Sequence, residues 1–337
     1  MATAADVLGL ALSDHFELAR FEEGSLRKVL DILHAADLEL QDRVSDFAAR
    51  GLSPQTIRFH EQLRQEVRAA YASAYARVHG GLSDDAVAMA LESSGRAGTA
   101  LEFALGGTGV AISRPSVDAV TRLVTQQPFK GALLRDHVDK LMGNRASAVA
   151  DQVALGVASG EGVGPIVRRL RGTKAAGYTD GVLHLGRRQA EAVVRTTVQH
   201  AMAEGRHATY LENDDLVRGA RAVVTLDDRT CPVCGPRDKL VWRLSEGAYV
   251  PHGHSVPWDG GPGQWHWNCR CTSVPWFDDP ALDDLSGGSR AARGGPVDAE
   301  VVYSDWLRGQ SPEFQDSVLG KRRGAWWRAN PQVGLRT

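Results

Sequence analysis

Four cysteines are the whole cysteine complement of this 337-residue chain, and all of them fall in one window. Cys231 and Cys234 sit in Thr-Cys-Pro-Val-Cys-Gly; Cys269 and Cys271 sit in His266-Trp-Asn-Cys-Arg-Cys. Two thiols separated by a two-residue turn converge on one point, which is how a knuckle supplies half of a tetrahedral zinc site. The glycine after Cys234 is expected to take a positive φ that turns backbone N–H groups toward the sulfurs. The other half has two completions. His266 and Cys269 are three residues apart, so a single turn presents both and gives a three-cysteine, one-histidine site. Cys269 and Cys271 share a face of a short strand and give a four-cysteine site. The first set is preferred. His252 and His254, in a glycine- and proline-rich loop, are outer candidates. Cysteines clustered in this way in a reducing compartment speak for one structural Zn2+ per chain, rather than free thiols or disulfides.

A catalytic zinc would keep an open position beside an acid or base. The cysteine pair is preceded by Thr230 instead of the proline of nucleic-acid deaminases, and no His-Glu-x-x-His occurs. Asp227, Asp228 and Arg229 beside the knuckle read as residues that cap and salt-bridge its turn. Five potential ligands for four places make a closed site, and no enzymatic activity is expected.

The elements that must carry this site are mostly helical. Leu26, Val29, Leu30, Leu33, Leu40, Val44 and Phe47 form one stripe; Leu63, Val67, Ala70, Tyr71, Ala74, Tyr75 and Val78 form a second. Ser53 and Pro54 are placed to start the second helix and Gly80-Gly81 to end it. Gly106–Ser113 lacks the lysine of a phosphate loop and reads as a connector. Helices resume at Ser116, and His137 within them reads as a solvated or paired histidine. Ala190, Val193, Val194, Thr197, Val198 and Ala201 mark one face of a further helix. The period then changes. Arg221–Leu226 and Lys239–Leu244 read as strands flanking the cysteine turn, with Cys271–Trp276 as a third. The fold class expected is mainly α with a small zinc-clipped hairpin or three-strand module near the C-terminus, α+β. The expected organisation is a helical region at 1–105, a helical connector at 106–180, a module at 181–280, a flexible linker at 281–299 and a helical docking tail at 300–337. That tail presents Trp306, Leu307, Phe314, Val318, Leu319, Trp326 and Trp327, which must fold back on the chain or be covered by a partner.

Hydrophobic content of 43% and charged content of 24% are those of an ordinary globular protein. A net charge of -2 gives no global attraction to nucleic acid or anionic membrane. No apolar run approaches a membrane span, and the first residues lack the basic start of a secretion signal. A bacterial-type cytoplasm is the expected place of assembly.

The order of these motifs resembles the minor head, or head-morphogenesis, proteins of tailed bacteriophages, the family typified by the phage Mu F protein. The carriers are Val193–Tyr210, then Leu226-Asp-Asp-Arg-Thr-Cys-Pro-Val-Cys234, a variable loop, and His266–Trp276. Gly162–Leu170 and the tail from Tyr303 to Gly324 are similar to further segments of that family. Trp267 stands where members usually have proline. The resemblance implies a non-enzymatic virion protein present in few copies and located in the phage head. It implies contact with the portal and with the major capsid protein or scaffold. Pro165–Ala222 carries ten Lys/Arg against six Asp/Glu, which makes packaged DNA a further candidate partner. The alternative reading is a zinc-dependent protein that binds or modifies nucleic acid.

Overall fold

The computed structural model describes residues 4–49, 57–106, 110–283 and 288–335. The chain divides into two compact units. One comprises Met1–Arg20, Val87–Val124 and Gln199–Thr337; the other comprises Phe21–Ala86 and Thr125–Val198. The second unit is helical and the first holds the sheet.

Among the described residues six helices precede the first strand: α1 (Ala4–Ala49), α2 (Ile57–Ala104), α3 (Val117–Gln126), α4 (Leu134–Ala158), α5 (Val163–Arg171) and α6 (Val182–Leu211). The helical unit buries the stripes read from the sequence. Leu26, Val29, Leu33 and Leu40 of α1 meet Leu63, Val67, Tyr71, Tyr75 and Val78 of α2 in one core, which Val138, Val149 and Val153 of α4 complete. Of the first stripe, Val44 and Phe47 have side chains outside the described set, as do Ser53 and Pro54 altogether. Gly80-Gly81 does not end a helix, because α2 continues to Ala104. Two glycines cost about 2 kcal/mol of helix propensity together. Leu82, Ala86, Met89 and Ala90 extend the buried face beyond them, and that burial outweighs the cost. A polar node crosses this core: Tyr71 donates to Asp37 Oδ1 at 2.7 Å, and Arg145 donates to the same oxygen and, at 3.0 Å, to the Tyr71 hydroxyl. Burial pushes the Tyr71 phenol well above its usual range, so it acts only as a neutral donor and acceptor. His137 is paired: its ring packs tilted against Phe129 and Nε2 meets the Phe129 carbonyl at 2.9 Å.

In the other unit four antiparallel strands follow α6: β1 (Gly219–Val223), β2 (Val241–Ser245), β3 (Ala248–His252) and β4 (Thr272–Trp276), in the order β3-β2-β1-β4. β1 and β2 flank the cysteine turn as expected, with Ala220 opposite Trp242. β3 is an addition to the three strands read from the sequence. Glu246 and Gly247, both at positive φ, make the two-residue turn that joins it to β2. Pro251 is tolerated because β3 is an edge strand.

A short helix α7 (Pro280–Asp283), a two-stranded ribbon β5 (Ser289–Arg290) and β6 (Val297–Asp298), and three helices end the chain. These are α8 (Tyr303–Arg308), α9 (Pro312–Leu319) and α10 (Lys321–Ala329). The stretch 281–299, expected as a flexible linker from its Gly, Ser and Arg content, therefore carries paired backbone among its described residues. Its Arg290 is the reason. The guanidinium, 2% exposed, donates to both oxygens of Asp238 at 2.9 and 3.1 Å and to the carbonyls of Val301 and Val224. Asp238 also accepts the N–H groups of Val224 and Tyr303. One buried ion pair thus ties the segment just after β1, the ribbon and the start of α8 together. The tail folds back on the chain: Tyr303, Trp306, Leu307 and Trp327 share a core with Cys234, Cys269 and Trp242. Ser311 caps α9, accepting the Phe314 N–H, with Pro312 at the first position.

Candidate metal centre

The knuckle is a tight turn on the long connection from β1 to β2. The N–H groups of Cys234 and Gly235 both donate to the Cys231 carbonyl, at 3.1 and 3.0 Å, and a single 3-10 turn, Gly235–Arg237, follows. Gly235 is not among the residues with positive φ, contrary to expectation. Its lack of a side chain serves packing instead: a Cβ there would lie 2.8 Å from the ring of Tyr303.

The second half of the site comes from the turn before β4. Cys269 N–H donates to the His266 carbonyl at 3.2 Å, and Asn268 takes the left-handed conformation that closes the turn. Asp227 locks the two halves together. Its carboxylate forms a two-pronged pair with Arg270, at 2.6 and 2.8 Å, and accepts the Arg229 N–H at 2.9 Å. Burial alone would raise the Asp227 pKa; the bonds and charge of Arg270 more than offset this and leave it lowered. Asp228 pairs with Arg293. The three residues flanking the knuckle are thus turn and ion-pair residues, as their sequence suggested.

The five expected donors fall into two overlapping groups. Cys231, Cys234 and His266 form one group whose ligand atoms lie within 4.8 Å of one another, and Cys234, Cys269 and Cys271 form another. Cys234 belongs to both. Its Sγ is 3.8 Å from Cys269 Sγ and 3.0 Å from His266 Nε2, which is in turn 3.2 Å from Cys231 Sγ. A tetrahedral ion with metal–sulfur bonds of about 2.3 Å and a metal–nitrogen bond of about 2.0 Å needs edges of roughly 3.8 and 3.5 Å. The sulfur pair meets that edge and the sulfur–nitrogen pairs are a few tenths shorter. The donor set fits zinc, since thiolate and imidazole are its preferred ligands. His266 Nδ1 lies 2.7 Å from the Trp267 carbonyl, so Nδ1 carries a proton and Nε2 faces the cysteines. Hydrogen bonding to Cys234, then to His266, pulls the Cys231 thiol down to about 4, and the bonds to Cys231 and Cys269 lift His266 to about 10. Cys269 is likewise pulled down, whereas Cys234 and Cys271 are pushed up, so the cluster by itself ionises only part of its thiols, and Nε2 offers its lone pair only when a metal takes the place of the proton.

No cysteine is in a disulfide. His254 and His252 lie outside both donor groups. His254 bridges the Val241 carbonyl and the Val256 N–H, and His252 packs on Trp276. Around the site Trp242, Trp265 and Trp276 are buried and Trp267 is 40% exposed. The indole N–H groups of Trp242 and Trp265 are satisfied by the carbonyls of Val256 and Trp258. The residues that sequence reading missed are Asp238 and Arg290, which brace the knuckle from behind. They are 52 residues apart and no spacing signal links them.

No helix among the described residues is long and apolar enough to cross a membrane. Neither a curated protein nor a solved structure matches the chain. A family match does exist, and it falls on this site. Residues 147–274, which hold all five candidate donors, match the family model described as Phage Mu protein F like protein, and over this segment the chain is similar to that family.

Proposed function

We propose that the chain is a minor capsid protein of a tailed phage, associated with the portal and the capsid interior. Its C-terminal module is held by one structural Zn2+ on Cys231, Cys234, His266 and Cys269. The observation that carries this reading is the coincidence of the family segment with two overlapping donor groups that share Cys234. The family suggests a head morphogenesis protein. His266 supports the ligand set, because its Nε2 stands between the two knuckle sulfurs with its tautomer fixed by Trp267. Cys271, 4% exposed beside Cys234 and Cys269, is the reserve donor. With more donors than coordination positions the ion would have no open place for a reacting water, and its chemistry is that of a clip. It closes the connection between β1 and β2 onto β4 and offsets the loop-closure entropy of a module with few strands.

The test uses full-length protein and assembling heads. Elemental analysis should give about one zinc per chain. Cys271→Ser should retain it and His266→Ala should lose it; the reverse outcome assigns four cysteines. The protein should be found in purified heads and co-purify with the portal protein and with the major capsid protein or scaffold. Its absence from particles and assembling heads alike would overturn the head reading while leaving the metal site standing. Zinc-dependent cleavage or deamination of DNA or RNA would instead favour the nucleic-acid alternative.

A further inference from the structure

The helical unit contains a cavity of about 230 Å³ whose lining is unlike the apolar core beside it. α1 contributes His34 and Asp37, the end of α5 contributes Arg171, the following loop contributes Tyr178, and the first turns of α6 contribute His184 and Arg187. The loop is drawn tight between two glycines. Gly172 has φ +90, and a Cβ on Gly181 would lie 2.3 Å from the carbonyl carbon of Arg171, so the end of α5 and the start of α6 are held side by side. Asp180 fixes the closure by accepting the N–H and the hydroxyl of Thr173 at 2.7 and 2.8 Å. Arg171 is laid over the Tyr178 ring, 4.6 Å from its centroid.

Charge is unbalanced here. Asp37 is the one carboxylate of the lining, and its Oδ1 is already taken by Tyr71 and the buried Arg145. Arg187 approaches its Oδ2 only at 3.6 Å, and Arg171 pairs with no carboxylate among the described residues. Arg145 and Arg187 therefore share the one carboxylate, and Arg171 is left without a counter-charge among the described residues. Two buried atoms on lining residues also lack a hydrogen bond: Asp37 Oδ2, an acceptor, and Arg187 Nε, a donor. They do not satisfy each other. Leaving such groups unpaired is costly, and a ligand that offers both an anionic acceptor and an O–H donor answers both. His34 Nδ1 lies 3.4 Å from Arg187 Nη2 and so accepts, which leaves its Nε2–H as a further donor.

We propose that this cavity binds a phosphate monoester or inorganic phosphate. Arg171 and Arg187 hold the charge, and Asp37 Oδ2 accepts a hydrogen bond from a protonated phosphate oxygen. The planar fork of arginine suits phosphate oxygens, and a monoester, with its second pKa near 6, retains a proton in part of its population at neutral pH. Sulfate and the phosphodiesters of DNA carry no such proton and would set an oxygen lone pair against Asp37. The volume is below the range of about 300–1,000 Å³ for drug-sized ligands, which suits a small oxyanion rather than a whole nucleotide.

The experiment is calorimetric titration of the full chain with inorganic phosphate, with sulfate and with a short DNA duplex. Phosphate should bind, and sulfate should bind at least about tenfold more weakly, the scale of one charge-assisted hydrogen bond. Arg171→Gln, on an exposed side chain outside the core, should weaken phosphate about tenfold or more with the fold intact by circular dichroism. Asp37→Asn should remove the preference over sulfate; where it fails to fold, the sulfate comparison on the native chain decides the same point. Phosphate and sulfate binding alike would overturn the role of Asp37 and with it the proposal. DNA binding abolished by Arg171→Gln would replace the monoester by a phosphodiester, and absence of phosphate binding up to roughly 10 mM would end it.

Discussion

The two units of this protein are held in contrasting ways. In the helical unit the core runs along whole helices, and its residues recur every third or fourth position of α1, α2 and α4, each adding a modest burial. In the sheet-bearing unit the strands are short. The centre is a set of points: five candidate metal donors, the Asp227–Arg270 pair that joins their two turns, and the Asp238–Arg290 pair behind them. A core spread over many equivalent side chains tolerates the loss of one methyl group by degrees. A core gathered on a few polar or metal-binding points fails when one of them goes, because what remains is an unpaired charge or an open loop. Both units also bury an arginine–aspartate pair, Arg145–Asp37 and Arg290–Asp238. The first pair lies within an extensive apolar core, whereas the second ties together three short segments with little else to hold them.

The largest expected effect tests the metal. Structural zinc contributes an apparent ~10–16 kcal/mol at neutral pH, far more than any single contact. Cys234→Ser should remove it, because Cys234 is common to both donor groups. All eight tryptophans lie between residues 242 and 327, in the sheet-bearing unit, so intrinsic fluorescence reports on that unit alone. The variant should lose zinc, shift its fluorescence to the red and become protease-sensitive between 221 and 276, while most of the far-UV helical signal persists. Loss of helical signal in step with fluorescence would show that the two units do not fail separately. Retained zinc and a protected module would show that the donors are not a metal site.

Next in size is Arg290→Ala. It would strand the Asp238 carboxylate, 8% exposed, with a charge its two backbone donors only partly satisfy, and such a loss costs about 3–5 kcal/mol. The tail and ribbon should loosen: denaturant should shift the fluorescence transition to lower concentration with little change in the helical transition. Zinc content in the absence of denaturant should remain near one per chain. If the two transitions move together, the contrast drawn above is too sharp.

How much of this was legible follows from the same contrast. Burial with a helical period writes itself into the sequence, and the α2 stripe from Leu63 to Val78 is buried residue for residue as read. The Cys/His clustering was legible for a different reason, since four cysteines in one window leave few groupings. The family match over residues 147–274 covers the same ground but does not reach the tail. β3 was missed because Ala-Tyr-Val-Pro-His alternates weakly and carries a proline that only an edge strand accepts. Arg290 was missed because its neighbours, Gly, Ser, Ala and Arg, have the composition of a linker. Its partner, Asp238, is fixed by three-dimensional closure and by no local pattern.

The smallest effect concerns the place where local propensity and burial disagree. Gly80-Gly81 reads as a stop, yet α2 runs through it. If burial on either side holds the helix against the glycines, alanine should be accepted there at a gain. Gly81 is exposed, and a Cβ on it meets no atom within 4 Å among the described residues, so Gly81→Ala adds no clash. Alanine is better than glycine in a helix interior by about 0.8–1.0 kcal/mol, part of it through reduced freedom of the unfolded chain. The helical transition should therefore rise by roughly 2–4 °C by circular dichroism, with the tryptophan signal and zinc content unchanged. A fall instead would mean that the pair does more than interrupt propensity, for instance by permitting a bend that α2 needs, and the account of a core secured by burial alone would have to be revised at that position.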